Sequence, residues 1–382
     1  MMTGSGPDAR FDALLVGGGL ANGLIALALL NARPEARVAI VERDGSLAGN
    51  HTWSFHDGDV PEAARPFVEP LVTARWPAYT VRFPGHERRV GVGYASITSA
   101  RLREVVEARF AESAGSRIFT GASVDGVRED SVTLADGTVL RGEVVVDARG
   151  PSLGADDSVL GYQKFVGLEL ELEGASPVTE PLLMDATVPQ TDGFRFFYTL
   201  PFDARTVLVE DTYFADTPDL DVPRLERGVL EYAALLGLRV SGIRRRERGV
   251  LPMPGKRRRP SHAAPLVAGY AGGWFHPATA YSFPVAVRLA LHVADTAPTE
   301  LFGEAYASLE REHGVQFRFG AFLNRLLFGA FRPETRWNAL DRFYRLPEGT
   351  IRRFYAMETT RGDRFRIVCG RPPRGLSLRL SA

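Results

Sequence analysis

The sequence predicts an α/β fold that joins a Rossmann-like parallel sheet, an interleaved antiparallel sheet and a helical C-terminal region. Residues 11–27 form a short apolar strand, a glycine turn and an apolar helix in that order. After Pro151 the pattern changes to antiparallel strand signals, and beyond Glu300 it is mostly helical. The 382 residues are enough for two closely joined lobes.

The first element is a βαβ unit with the features of a dinucleotide site. Gly17 permits the tight turn, and Gly19 lets the backbone approach a pyrophosphate at the helix N-terminus. The second strand ends in Glu42, where a carboxylate accepts hydrogen bonds from the adenosine ribose. The alternative is a turn that only joins a buried strand and helix. The residues predicted to bind the dinucleotide here are Gly17, Gly18, Gly19, Ala21, Asn22, Glu42 and Arg43.

The next segment predicts short strands and one helix. Residues 76–92 contain strand-like pieces broken by two prolines. The apolar spacing of residues 102–110 is that of one helical face, and Thr98 or Ser99 can cap its start.

A hairpin then leads back to the parallel sheet. The Asp-Gly pair at 136–137 predicts a tight turn between two strands. The continuous apolar run 144–146 predicts a buried parallel strand. Its end adds Asp147 and Gly150 to the predicted cofactor site.

Residues 161–255 predict the antiparallel sheet, and the arginine clusters at 244–246 and 256–259 are interpreted as solvated loops. A chain that leaves the dinucleotide unit, builds an antiparallel sheet and returns has the layout of a flavoprotein of the glutathione-reductase and hydroxylase type, which favours FAD over NAD. The predicted domains are an FAD-binding domain of residues 11–60, 96–160 and 256–300, a substrate domain of 61–95 and 161–255, and a helical region of 301–382.

Composition excludes several classes of protein. The 46 basic residues balance 46 acidic ones, which argues against a nucleic-acid binder. The single cysteine, Cys369, suits a reducing cytoplasm, and no apolar run before Phe11 indicates a secretion signal. No apolar stretch approaches the ~20 residues of a membrane span. We expect a cytoplasmic, non-integral protein.

One helix combines arginines with an apolar stripe. Arg311, Arg318, Arg325 and Arg332 recur every seven residues before Pro333. A surface helix packed on the core is one interpretation. An interfacial helix that contacts anionic lipid is the other.

Glu210 is a carboxyl group beside an apolar run. It follows the apolar run 206–209 and is predicted to end that strand, where burial raises the pKa of a carboxyl group. A strand-end carboxylate facing solvent is the alternative. Asp211 points to the opposite face by strand alternation. His51 and His56 have a spacing that fits no metal pair, so no metal site is predicted.

Seven motifs in order resemble the bacterial lycopene β-cyclases, from about Phe11 to about Pro373. They are residues 17–27, 50–56, 161–167, 184–188, 198–202, 209–212 and 275–277. One departure is Ala280, which stands where the family usually has glycine and narrows the space near the flavin.

The resemblance implies that Glu210 protonates a terminal double bond of lycopene or another ψ-end carotenoid, and that a β-ring forms without net redox change. It implies reduced FAD, made with NAD(P)H, near the loop of His276, Pro277 and Thr279. It also implies a peripheral position on the inner membrane. The alternatives are an FAD-dependent monooxygenase, a prenyl reductase and a non-catalytic carotenoid-binding flavoprotein.

Overall fold

Two seven-stranded sheets and one three-stranded sheet organise the chain in this computed structural model, which describes residues 10–150, 158–257 and 262–376. The strands are β1 (Arg10–Val16), β2 (Val38–Val41), β3 (Thr52–His56), β4 (Ala74–Trp76), β5 (Tyr79–Phe83), β6 (His86–Val90), β7 (Tyr94–Thr98), β8 (Arg117–Phe119), β9 (Val124–Val127), β10 (Ser131–Leu134), β11 (Val139–Asp147), β12 (Val159–Leu172), β13 (Leu182–Asp185), β14 (Phe194–Pro201), β15 (Thr206–Ala215), β16 (Val240–Pro254) and β17 (Leu266–Val267). The residues before 10 and the end of the 256–259 cluster lie outside the described residues.

The helices cover the sheets and form the C-terminal region. They are α1 (Leu20–Ala32), α2 (Arg65–Val68), α3 (Ser99–Glu112), α4 (Val222–Leu235), α5 (Phe283–Asp295), α6 (Glu304–Ala330), α7 (Trp337–Phe343), α8 (Glu348–Tyr355) and α9 (Arg361–Val368). Thr98 caps α3 as predicted, because its hydroxyl oxygen accepts a hydrogen bond from the backbone N–H of Arg101 at 3.3 Å. No helix in the described residues is long and apolar enough to cross a membrane.

The first sheet has the strand order β8-β2-β1-β11-β10-β9, with β17 beside β11. β1 is parallel to β2 and β11, and the buried helix α1 connects β1 to β2. The predicted βαβ unit and the predicted return strand are therefore present. The turn at Gly137 joins β10 to β11 as an antiparallel hairpin, also as predicted.

The second sheet has the order β16-β12-β15-β14-β13-β5-β6. Its strands come from residues 79–90 and 159–254, so this sheet is interleaved with the first along the chain. One face packs on α4 through a buried apolar cluster. The other face is the wall of the cavity described below. The exact domain boundaries remain predictions.

Two local expectations were wrong. Glu210 does not end a strand, because β15 continues to Ala215. Polar residues after Val209 mimic a strand end in the sequence, but Asp211 is paired on the opposite face and the strand runs through it. The arginines 244–246 lie within β16 rather than in a loop, and neighbouring strands supply acidic partners such as Glu169.

Helix α6 carries three of the four arginines that the sequence placed in one stripe. Arg311, Arg318 and Arg325 are exposed on α6, whereas Arg332 lies beyond the end of the helix at Ala330. The apolar stripe of the helix is half-buried and packs on the core. The helix therefore packs on the core through this stripe and presents the three arginines at the surface.

Candidate active site

One cavity extends from the glycine turn after β1 to Glu210 on β15. The parallel sheet contributes the ends of β1 and β11 with the start of α1, and the antiparallel sheet contributes one face of four strands. A loop before α5 closes the remaining side. The lining includes Gly19, Ala21, Trp53, Tyr94, Gly150, Phe165, Tyr198, Glu210, Glu247, Thr279, Ala280 and Tyr281.

The glycine turn is held tightly. Gly17 has φ +94°, and a Cβ there would lie 2.7 Å from the carbonyl oxygen of Ala148, so a larger residue would strain the turn and collide with β11. Asn22, in the third fingerprint position, is fully buried and donates its side-chain amide to the carbonyls of Val16 at 2.9 Å and Gly17 at 2.8 Å. Its side chain therefore supports the turn itself.

The start of α1 is open toward the cavity. Gly19 is the residue before the helix. Among the residues that the structure describes, no side chain caps the helix N-terminus, and a Cβ on Gly19 would have no atom within 4 Å apart from those of its chain neighbours. Ala21 and Gly150 line the same space. Unpaired N–H groups at a helix N-terminus suit an anionic phosphate. These residues therefore fit the diphosphate of a dinucleotide.

The acidic residues predicted around the dinucleotide lie at the ends of β2 and β11. Glu42 accepts hydrogen bonds from the backbone N–H of Gly18 at 2.7 Å and of Asp44 at 2.9 Å. Asp147 forms an ion pair with Arg149 at 2.7 Å. Arg43 is exposed, and its guanidinium lies 3.6 Å from Asp44. The geometry places all of them at the carboxyl edge of the sheet, and their roles in cofactor binding remain predictions.

The loop of His276, Pro277 and Thr279 lies against the opposite wall. Burial lowers the pKa of His276 to about 3, so the ring is neutral, and it accepts a hydrogen bond from the N–H of Ala278 at 3.1 Å. The carbonyl of Pro277 accepts from Asn324 at 2.7 Å. Thr279 lines the cavity. The loop is thus rigidly placed where it can contact a flavin ring.

Glu210 on β15 lines the wall of the cavity that the antiparallel sheet forms. Its carboxyl accepts a hydrogen bond from the hydroxyl of Thr212 at 2.6 Å. Burial raises its pKa well above the ordinary value of 4.5, and the nearby carboxylate of Glu247 raises it further. A glutamic acid that keeps its proton near neutral pH is a competent general acid.

Asp211 occupies the other face, as strand alternation predicts. Its side chain is fully buried and receives two hydrogen bonds from the Arg195 guanidinium, at 2.9 Å and 2.8 Å. It is absent from the cavity lining in the described residues. Asp211 therefore has a structural place beside α4.

The sequence did not single out the polar and aromatic residues around Glu210. Glu247 is 3 % exposed and lines the cavity, but it lay in an arginine-rich segment that was interpreted as a loop edge. Tyr94, Tyr198 and Tyr281 also line the cavity, and burial raises the pKa of each, so they stay neutral. Aromatic faces attract positive charge, so these rings suit a cationic intermediate.

The described residues contain no group of three His, Cys, Asp or Glu side chains that could hold a metal ion. His56 is 2 % exposed and is surrounded by the rings of Tyr79, Tyr94, Tyr281 and Tyr355. His51 instead lines the cavity. The two histidines therefore do not converge on one site.

Solved structures with a similar fold include a probable FAD-dependent monooxygenase and a reductase-like protein. A probable FAD-dependent monooxygenase, PqsL of Pseudomonas aeruginosa, gives a TM-score of 0.60 at 20% identity over 86% of this chain and 98% of its own. A geranylgeranyl bacteriochlorophyll reductase-like protein of Thermoplasma acidophilum gives 0.63 at 12% identity over 94% of this chain and 96% of its own. These likenesses confirm the predicted fold class.

The sequence relatives are more specific. The lycopene β-cyclase of Pantoea ananas is 39% identical over 95% of both chains. That of Pseudescherichia vulneris is 41% identical over 95% of this chain and 94% of its own. Residues 12–381 match the family described as "Lycopene cyclase protein". The chain therefore belongs to the lycopene cyclase family.

Proposed function

We propose that this protein is a lycopene β-cyclase that forms β-rings by acid-initiated cyclisation. The observation that carries the proposal is Glu210, a half-buried residue that lines the cavity beginning at the glycine turn and whose removal from water raises the pKa of its carboxyl. Its proton adds to the terminal double bond, the resulting cation closes a carbon–carbon bond, and a ring proton is lost. The substrate and the product have the same formula.

The walls of the cavity fit that chemistry. Apolar and aromatic side chains such as Phe165, Leu208 and Tyr198 exclude water from a hydrocarbon substrate. The same exclusion of water keeps Glu210 protonated. The tyrosine rings that line the cavity would stabilise the positive charge that develops during cyclisation.

The cofactor of the proposal is FAD in its reduced form, with NAD(P)H as the donor that reduces it. Gly17, Gly19 and the start of α1 would hold the diphosphate, and the loop of His276 would border the ring. Reduced FAD, when bound, supplies negative charge beside the cation. Gly19→Val fills the open space at the helix N-terminus, so the purified variant should lack flavin absorbance. Full flavin retention would contradict this placement.

An anaerobic assay tests the reaction. Lycopene is incubated with enzyme and dithionite-reduced FAD, and products are separated by chromatography. We expect cyclic carotene over many turnovers without further reductant. A product that gains oxygen would identify a monooxygenase, a product that gains two hydrogens would identify a reductase, and bound but unchanged lycopene would identify a carrier.

We also propose that α6 and α9 hold the enzyme on anionic membranes. Burial lowers the pKa of Arg364, and the nearby charges of Arg361 and Arg318 lower it further, so these arginines form one cationic cluster. Phe365 beside them is 68 % exposed. Each basic residue near an anionic surface contributes about 1 kcal/mol. Arg318→Gln with Arg361→Gln should therefore weaken binding to anionic liposomes in a salt-sensitive way, whereas Arg239→Gln, in the connection just before β16, should not. Equal co-sedimentation of both variants would leave α6 as a packing helix.

A further inference from the structure

Two glutamates face each other across one strand of the antiparallel sheet. Gly167 on β12 is paired in register with Glu210 on β15 and with Glu247 on β16. Residues paired in register across antiparallel strands point to the same face. The two carboxyl groups therefore lie in one row, on the face that lines the cavity.

Gly167 allows these side chains to meet. A Cβ at this position would lie 2.8 Å from Cγ of Glu247, closer than side chains tolerate. With no side chain on the middle strand, the carboxyl of Glu210 is within hydrogen-bonding reach of Glu247. The glycine thus leaves room for the side chain of Glu247 in the row that also holds Glu210.

The two carboxyl groups have different partners. Glu247 is buried, and its Oε2 accepts hydrogen bonds from the hydroxyl of Thr52 at 3.0 Å and from the guanidinium of Arg245 at 2.6 Å. Both donors suit a carboxylate. Glu210 receives only the neutral hydroxyl of Thr212 among the described side chains, besides its contact with Glu247.

We propose that Glu247 is a positioning residue, which as an anchored carboxylate shares one proton with Glu210 and keeps it on Glu210. The role in catalysis rests on the proposed cyclase function, whereas the pairing itself does not. Two adjacent carboxyl groups in a dry site cannot both ionise without a large cost, so one of them retains a proton. Arg245 and Thr52 decide which one does.

The charges around the pair leave this assignment intact. Arg245 is shared, because it also donates to Glu169 at 2.9 Å, so it does not neutralise Glu247 alone. The remaining titratable groups that act on the two acids are Asp211, whose charge Arg195 balances, and the side chains of His51, Tyr94 and Tyr198. Once Glu210 has given its proton away, the pair carries two negative charges beside the developing cation, which favours cyclisation.

Infrared titration of the purified flavoprotein tests the pairing without turnover. The protonated-carboxyl band that Glu210→Gln removes is assigned to Glu210. In Glu247→Gln the amide oxygen can replace Oε2 toward Arg245, and the NH2 group then donates to Glu210, which favours its ionised form. In this variant we expect the midpoint of the Glu210 band to lie at least about one pH unit below that of the wild type. At a pH above both midpoints, this shift corresponds to about a tenfold smaller fraction of protonated Glu210. An unmoved or upward-shifted band in folded protein would overturn the proposal.

The same variant is then assayed for cyclisation against pH. In Glu247→Gln we expect the alkaline limb of the rate profile to shift to lower pH, together with the Glu210 band. Glu171→Gln is the control, because it removes an ion pair with Arg244 farther along β12, and it should leave the alkaline limb at its wild-type pH. If cyclisation is absent in the wild type but the band still moves, the proposed function fails and the pair stands. Should Glu247→Gln not fold, Gly167→Ala separates the acids and should shift the Glu210 band in the same direction.

Discussion

Glu210 and Asp211 are neighbours in sequence, but their carboxyl groups lie on opposite faces of the antiparallel sheet and have opposite kinds of partner. Asp211 is buried against α4 and is paired with Arg195 through two hydrogen bonds. Glu210 faces the cavity and is paired with a second carboxyl group, Glu247. Burial raises the pKa of both acids, and for Asp211 the Arg195 guanidinium opposes that rise.

The difference shows that burial alone does not make a general acid. A carboxyl that is buried with a cation contributes to the packing of the sheet on α4, because its charge is compensated. A carboxyl that is buried beside another carboxyl holds a proton that it can give away. Holding two carboxyl groups together on the cavity face, with only a shared cation beside them, therefore costs stability that the opposite face does not lose. The proposed function requires this arrangement, because it keeps the proton on Glu210.

The largest expected effect is on the cavity face. Glu210→Gln keeps the shape of the side chain but has no proton of sufficient acidity for an alkene. Cyclisation should fall by about a hundredfold to ten-thousandfold, as for removal of a general acid, while flavin and lycopene still bind. The anaerobic chromatographic assay measures the first effect, and flavin absorbance with carotenoid co-purification measures the second.

Glu210→Asp is the matched variant for this prediction. It retains the acid but shortens the side chain by one methylene, so a trace of activity should remain because the approach to the double bond is poor. If Glu210→Gln forms β-carotene at a rate near that of the wild type, another residue supplies the proton.

The second prediction concerns the opposite face. Asp211→Asn breaks a buried ion pair and leaves the charge of Arg195 uncompensated, so the free energy of unfolding should fall by about 3 kcal/mol. Cyclisation per folded, flavin-loaded molecule should change little. Urea unfolding with flavin-normalised assays separates the two effects. A large loss of specific activity with unchanged stability would show that the faces are not distinct in function.

The features of these two faces that could be predicted from the sequence are the local ones. Local patterns predicted the turn at Gly17 and the opposite orientation of Asp211, because a glycine turn and strand alternation involve only residues near each other in the chain. The family motifs selected Glu210. None of these inferences needed the order of the strands.

Glu247 was missed because its role depends on non-local register. It lies 37 residues after Glu210, and only the position of β12 between β15 and β16 brings the two together. The end of β15 was misplaced for a related reason, since Asp211 looks like a turn residue until its partner Arg195 on β14 is known. Side-chain pairs between neighbouring strands cannot be identified from local sequence patterns, and for this reason part of the fold and part of the site were not predicted.

A third prediction uses the pH dependence of stability. Because the pKa of Glu210 is raised above its ordinary value of 4.5, the folded state keeps a proton that the unfolded state has lost. The contribution of this group to stability is fully present below about pH 4.5 and is lost as pH rises through the raised pKa, at about 1.4 kcal/mol per pH unit. Glu210→Gln cannot titrate, so its stability should gain on the wild type as pH rises. Denaturant titrations at pH 4.5 and pH 8 test this, and a constant difference between the proteins would contradict it.

The smallest expected effect lies on the far wall of the cavity. Ala280 has φ +58°, a left-handed conformation that costs an L-residue about 1–2 kcal/mol, and it stands where the resemblance leads us to expect glycine. Ala280→Gly relieves this strain but increases the entropy of the unfolded chain, so the net gain should be about 0.5–1 kcal/mol. Thermal unfolding of the flavin-free protein measures it, with Ala278→Gly in the same loop as the control that should destabilise. A loss of stability in Ala280→Gly would mean that packing of the Ala280 methyl group outweighs the backbone strain. The carboxyl pair would then be the part of the cavity lining that lowers the stability of the fold.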